Sequence, residues 1–192
     1  MPFTITAADL TVSTATAPAS ATFTETIPIS YTVTNQGDGS ALKDWYDYIY
    51  LSTDEVYSSS DRILWSGFIS AETPLAAGNR YSKSVNVVIP SDMGVGSRYL
   101  LFYPDAYWGS TQPETNETNN VLAVPITITA PDLIVSAATA PASAAISETI
   151  AVSYTVKNQG TGSALKDWYD TIYFSSDAVY GSGDRALWNG SI

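Results

Sequence analysis

The sequence predicts an all-β chain: a two-sheet sandwich of about seven strands, set in tandem, with the second copy cut short. Three observations carry this. Tyr, Thr, Val and Ile are plentiful while Lys and Glu are scarce, which suits strands over helices. Apolar residues recur at every second position along several segments. The chain also repeats itself: SALKDWYD stands at 40–47 and again, letter for letter, at 163–170.

The repeat fixes the organisation. ADLTVS begins at Ala8 and PDLIVS at Pro131, a shift of 123 residues. The same shift carries TAPAS at 16–20 onto 139–143, and SYTVTNQG at 30–37 onto SYTVKNQG at 153–160. It carries Val56-Tyr57 and Asp61-Arg62 onto Val179-Tyr180 and Asp184-Arg185. MPFTITA at 1–7 matches VPITITA at 124–130. We therefore expect residues 1–7 to be the last strand of a preceding copy. Residues 8–129 are expected to be one complete domain, and residues 130–192 the N-terminal half of another.

Within one copy every periodic segment reads as strand. The opening strand is expected at Asp9–Ser13. Glu25–Thr34 alternates, with Ile27, Ile29, Tyr31 and Val33 on one face. Trp45–Ser52 is aromatic and β-branched, and Arg62–Ile69 is a shorter strand. Arg80–Ile89 puts Tyr81, Val85, Val87 and Ile89 on one face. Ser97–Tyr103 is apolar enough to be buried on both sides, and Val121–Thr129 closes the copy. Asn35–Gly39, Ala77–Asn79 and Asp92–Gly96 supply the turns. An immunoglobulin-like sandwich accommodates this order. In the second copy, Val152, Tyr154, Val156 and Ile172 are then expected to face an absent neighbour. That half should be loosely held, associate between molecules, or need its continuation.

ADLTVS, then YTVTNQG, YIYLSTD, and ETNETNN followed by VLAV, together resemble the cell-adhesion-related domain of bacteria, CARDB. The resemblance covers the full copy and what is present of the second. It implies an immunoglobulin-like module that recurs in tandem in surface or secreted proteins, hence a spacer or adhesive role and an extracellular location. The implied partners are neighbouring repeats, and a surface glycan or protein. No catalytic residue comes with it.

The composition excludes several chemistries. The formal net charge is −11, so phosphate backbones and anionic membrane surfaces are repelled. With no Cys and no His, thiolate nucleophiles, Cys/His zinc sites and Ser-His-Asp triads are out of reach. MPFTITAADL has neither the basic segment nor the apolar core of a secretory signal, and no apolar run is long enough to cross a bilayer. We expect no enzyme and no cofactor, with calcium as the one ion to consider.

Four groups of residues could carry function. The hairpin from Asp54 to Asp61 has carboxylates suited to calcium, matched in the second copy by Asp177 and Asp184. The structural alternative is that each Asp caps its own turn. Asp47 and its copy Asp170 share a strand face with tryptophans. If that face points inward, Asp47 needs a donor, such as Lys43 or a backbone N–H, or else ligates a cation with the hairpin. Tyr107 and Trp108 could stack on a sugar, with Asp105, Glu114, Glu117 and Asn119 nearby in the chain; alternatively the loop is held by its own turns. Trp45 is expected in the core, with Trp65, Trp168 and Trp188 as related positions. The carbohydrate-binding module and the calcium-stiffened linker are thus the alternatives to the spacer. Asn116-Glu117-Thr118 and Asn189-Gly190-Ser191 also match the glycosylation pattern.

Overall fold

Alternation along the chain becomes two facing sheets. The computed structural model describes residues 1–106 and 112–192. The strands are β1 (Leu10–Thr16), β2 (Ser20–Thr22), β3 (Thr26–Asn35), β4 (Trp45–Ser52), β5 (Arg62–Ile69), β6 (Arg80–Val88), β7 (Gly96–Tyr103) and β8 (Leu122–Thr129) in the first copy. The second copy contributes β9 (Leu133–Thr139), β10 (Ser153–Asn158), β11 (Tyr169–Phe174) and β12 (Arg185–Ser191). No helix occurs among the described residues. The chain divides into two compact units. One is Met1–Asp132 with Gly160–Gly162, the other Leu133–Gln159 with Ser163–Ile192.

The first unit is an immunoglobulin-like sandwich. One sheet runs β1-β3-β6, the other β2-β8-β7-β4-β5. All pairings are antiparallel except β2 with β8. Between the sheets lie Leu10, Ile27, Ile29, Tyr31, Val33 and Val87 from one side, and Trp45, Ile49, Leu51, Leu100, Phe102, Ile126 and Ile128 from the other. The inward residues of β3 are those its alternation singles out. In β7, Leu100, Leu101 and Phe102 are all buried, so both faces of that strand are covered as expected.

Two features depart from the sequence reading. β2 is an eighth strand, three residues long and too short to show a period. Pro18, lacking an N–H, ends the ladder of β1 with β3, and the chain crosses to pair with Thr127–Thr129 of β8. Residues 1–7, expected as a strand, form none. They are exposed up to Thr6, and Ala7 is tied to the turn after β3: Gly39 N–H donates to the Ala7 carbonyl, and Ala7 N–H donates to Asp38 Oδ1.

The repeated Asn-Gln-Gly motif has a packing reason. Asn35 is fully buried with both ends engaged: Nδ2 donates to the carbonyls of Gly39 and Leu75, and Oδ1 accepts from the N–H of Asp9 and Gly37. The chain at Ala7–Asp9 crosses so near Gly37 that a Cβ there would collide with its backbone. Gly160 stands in the same relation to Ala130–Asp132.

In the second unit β9 pairs with β10 and β11 with β12. The repeat reproduces even the irregularities. β1–β3 bulges at Ser13, whose Oγ donates to the Thr32 carbonyl at 3.2 Å; β9–β10 bulges at Ser136, whose Oγ donates to the Thr155 carbonyl at 3.2 Å. β4–β5 and β11–β12 share a second bulge, beside Ile49 and Ile172. Local sequence therefore sets register without the rest of a sandwich. Burial does not follow: Trp188 is 45% exposed and Phe174 68%. Limited proteolysis of the full chain should cut first after residue 130 and leave a resistant fragment containing 8–129. Equal resistance of both halves would contradict this reading.

Candidate functional site

Asp47 is 1% exposed and sits between the sheets. Its Oδ2 accepts from the hydroxyls of Tyr31 at 2.8 Å and Tyr81 at 2.6 Å, and its Oδ1 accepts from Trp45 Nε1 at 3.0 Å. Tyr31 lies on β3 and Tyr81 on β6, so this β4 carboxylate is bonded across to two of the three strands of the opposite sheet. Burial raises its pKa to about 6, against the pull of these three donors and of the Lys83 charge. The same burial, with the Asp47 charge alongside, pushes both phenols far up, so they remain donors. The expected donors were Lys43 or a backbone N–H. Phenols and an indole take that role, because strand alternation aims Tyr31 and Tyr81 inward while the Lys43 side chain precedes the strand. Asp170 accepts from Tyr154 and Trp168, each at 3.1 Å.

The hairpin aspartates close their own turns. Asp54 Oδ1 accepts from Val56 N–H at 2.9 Å, and Asp61 Oδ2 from Ser58 N–H at 2.7 Å. Asp177 and Asp184 do the same with Val179 and Gly181. Among the described residues no three of His, Cys, Asp and Glu gather to hold a metal ion.

Tyr107 and Trp108 lie outside the described residues. Around them, Asp105 is buried at a positive φ of 48° and accepts the Gln112 N–H at 2.5 Å. Glu114 bridges two elements: Oε1 accepts the Leu10 N–H and Oε2 the Asn120 amide, both at 2.7 Å. Asn119 donates to Asp9 at 3.0 Å. Burial raises Asp105 to about 8, with the charges of Glu114, Glu117 and Asp47 adding to it and the Gln112 bond opposing. Burial likewise raises Glu114 to about 7, with Glu117 and Asp9 adding and the Asn120 and Leu10 bonds opposing.

The surface feature that the sequence did not single out is a line of rings on the outer face of the five-stranded sheet. Phe68 meets Tyr46 at 4.9 Å, and Tyr46 meets Tyr48 at 6.3 Å. Tyr48 stacks on Tyr50 at 5.6 Å and 14°, Tyr50 meets Tyr57 at 4.8 Å, and Tyr57 meets Tyr103 at 5.2 Å. Tyr57 comes from the hairpin and folds back over the sheet, which is why Tyr50 is buried outside the inner core. At the other end Phe68 is 53% exposed and Tyr46 37%. Strand alternation puts Tyr46, Tyr48 and Tyr50 on one face of β4. Adding Phe68, Tyr57 and Tyr103 needed the register of β5 and β7 and the path of the hairpin. The second copy keeps Tyr169, Tyr173 and Tyr180 but has Thr171 for Tyr48 and Ser191 for Phe68, so its line is interrupted.

Asp47, Asp105 and Glu114 all have folded pKa values above the unfolded range near 4. The folded state therefore holds more protons than the unfolded chain. The stability this confers is full below about pH 4 and is lost as pH rises through 6 to 8. The melting temperature of the first unit should fall between pH 5 and pH 8, and Asp105→Asn, which suits the positive φ, should flatten part of that fall. A flat or rising profile would contradict the burial of these acids.

The family model that matches the chain is CARDB, over residues 7–124 and 130–186. No curated protein matches. Among solved structures the chain is similar to the crystal structure of the CARDB domain of the PF1109 protein from Pyrococcus furiosus in complex with di-metal ions. Identity is 17%, coverage 66% of this chain and 97% of that one, and the TM-score 0.48. For the solution NMR structure of that domain, identity is 17%, coverage 65% and 97%, and the TM-score 0.47. The β-glucosidase EmGH1 from Erythrobacter marinus is similar at 15% identity over 63% of this chain and 15% of that chain, with a TM-score of 0.40. The two matched segments take in most of the sequence, and the chain belongs to the CARDB family of non-catalytic structural domains.

Proposed function

We propose that the chain is a spacer module of a bacterial surface or secreted protein, set between neighbouring repeats and making weak adhesive contacts. The observation that carries this is where its acids point. Asp47 is held between phenols, Asp54 and Asp61 lie in their turns, and Glu114 is bonded to Leu10 and Asn120. General acid–base work needs two such groups facing each other across a concave pocket. These acids instead hold strands and loops to one another, which suits a module that keeps its shape and catalyses nothing. Asp177 and Asp184 have the same turn role, so the stiffness of the hairpins comes from hydrogen bonds in this reading, without calcium.

A second reading, a carbohydrate-binding module, draws support from the outer line of rings. Exposed ring faces at Phe68 and Tyr46 can lie against the apolar face of a sugar, and Tyr48 supplies a hydroxyl beside them. One experiment separates the readings: the full chain run in native gels containing soluble glycans, with release of reducing ends assayed in parallel. The spacer reading expects no reducing ends from any glycan. Retardation that disappears in Phe68→Ala while melting is unchanged would assign the adhesive contact to sugar. Reducing ends that vanish in Glu114→Gln would make the chain an enzyme and overturn the proposal.

A further inference from the structure

We propose that the end of the first sandwich where the chain leaves β7 and enters β8 holds one calcium ion, ligated by Asp105 Oδ1, the amide oxygens of Asn119 and Asn120, and the Glu117 carboxylate. The β7–β8 ladder ends at the pair Phe102↔Leu122, so Asp105 follows it, and Asn119 and Asn120 precede it, at the same end. Three oxygens there are enclosed and accept no hydrogen bond among the described residues: Asp105 Oδ1, Asn119 Oδ1 and Asn120 Oδ1. Asp105 and Asn120 are each 3% exposed. The Gln112 N–H occupies only Oδ2 of Asp105. The two amides are oriented by their nitrogens, which donate to Asp9 Oδ1 at 3.0 Å and to Glu114 Oε2 at 2.7 Å. Turning either amide over would set its oxygen against a carboxylate, so the carbonyl oxygens are the ends left over.

All three are acceptors, so what they lack is positive. A proton on Asp105 would serve one of them and leave both amides as they are. A calcium ion takes about six to eight oxygens, amide oxygens included. The surrounding charge points the same way. Asp105 feels the charges of Glu114 and Glu117, and Glu114 those of Glu117 and Asp9. Neither ion pair printed among the described residues involves any of these four acids. Glu117 is exposed, so it is free to turn onto the ion and leaves a way in. Glu114 stays bonded to Leu10 and Asn120 and is the positioning residue. The donor set is two carboxylates completed by amides, which is why no trio of acids marks the place. Oxygen donors alone select a hard cation, and an irregular set from loops suits calcium better than the strict octahedron of magnesium. The site is separate from the hairpins of Asp54 and Asp61, and it depends on neither the spacer nor the glycan reading.

The test titrates the full chain, first stripped with chelator, with calcium chloride and with terbium. One ion per chain should bind, with a dissociation constant of about 0.1–1 mM, the range of extracellular calcium modules. A hairpin site would bind two, since Asp54 and Asp61 recur as Asp177 and Asp184. Tyr103, whose phenol feels the charges of Glu117, Asp105 and Glu114, should sensitise terbium luminescence, and calcium should quench it by displacement. Saturating calcium should raise the melting temperature. Asp105→Asn keeps an acceptor for the Gln112 N–H and should abolish binding. Glu117→Gln, at an exposed side chain, should weaken binding roughly tenfold and leave the calcium-free melt unchanged. Asp61→Asn should bind as the parent does. Absence of saturable binding would overturn the proposal, as would unchanged affinity in both Asp105→Asn and Glu117→Gln. So would a rise in melting temperature matched by magnesium or sodium chloride at equal ionic strength, which would be screening of the net charge of −11. Loss of binding in Asp61→Asn would move the ion to the hairpins and overturn it too.

Discussion

A carboxylate buried between two sheets constrains most of this structure. Taking Asp47 out of water costs several kcal/mol unless its lone pairs are satisfied. Three donors satisfy them, and two come from the opposite sheet. The arrangement tolerates little displacement. A slip of β4 by one residue would carry Asp47 to the outer surface and Tyr46 to the core, since successive side chains alternate. A slip of β3 or β6 would withdraw a phenol and leave the charge without a partner. Apolar packing of Trp45, Ile49 and Phe102 supplies most of the burial, but it is less selective of register. The polar cluster adds the selection, and it forms beside Trp45, whose ring also packs against Tyr81 at 5.9 Å.

Much of the fold was legible because its causes are local. The period of two in β3 and β6 follows from residues facing one core, so both strands appear where alternation placed them, within a residue or two. The repeat was equally legible and carries further than letters, since the bulges at Ser13 and Ser136 occupy equivalent positions. Features that depend on distant partners were not legible. β2 has three residues, and only β8 makes it a strand. The two phenols that donate to Asp47 stand 16 and 34 positions away in sequence, on strands of the other sheet, so nearby Lys43 was the natural guess. The outer line of rings needs Tyr57 folded back from the hairpin, which no periodicity reports.

The two units show what local sequence does alone. Both contain the Tyr–Asp–Trp contact, the same turns and the same pairings of adjacent strands. Only the first has strands on both sides of β3 and β4, and only there does the inner face close. Hairpins and turns are thus written in short stretches, while burial is a property of the completed sandwich. For function, the consequence is a module whose polar groups are mostly turned to holding its shape. Its sealed interior contrasts with the line of aromatic rings on the outer face of the five-stranded sheet.

The account rests on the coupling of Asp47 to the opposite sheet, and a double-mutant cycle measures it most directly. Residues 8–129 would be unfolded with urea at pH 7 as the parent, Asp47→Asn, Tyr81→Phe and the double variant. A coupling energy of about 1.5–3 kcal/mol is expected, the range for a hydrogen bond to a charged group, with the slope of unfolding unchanged. A coupling near zero would mean that apolar packing alone sets the sheets, and would contradict the account.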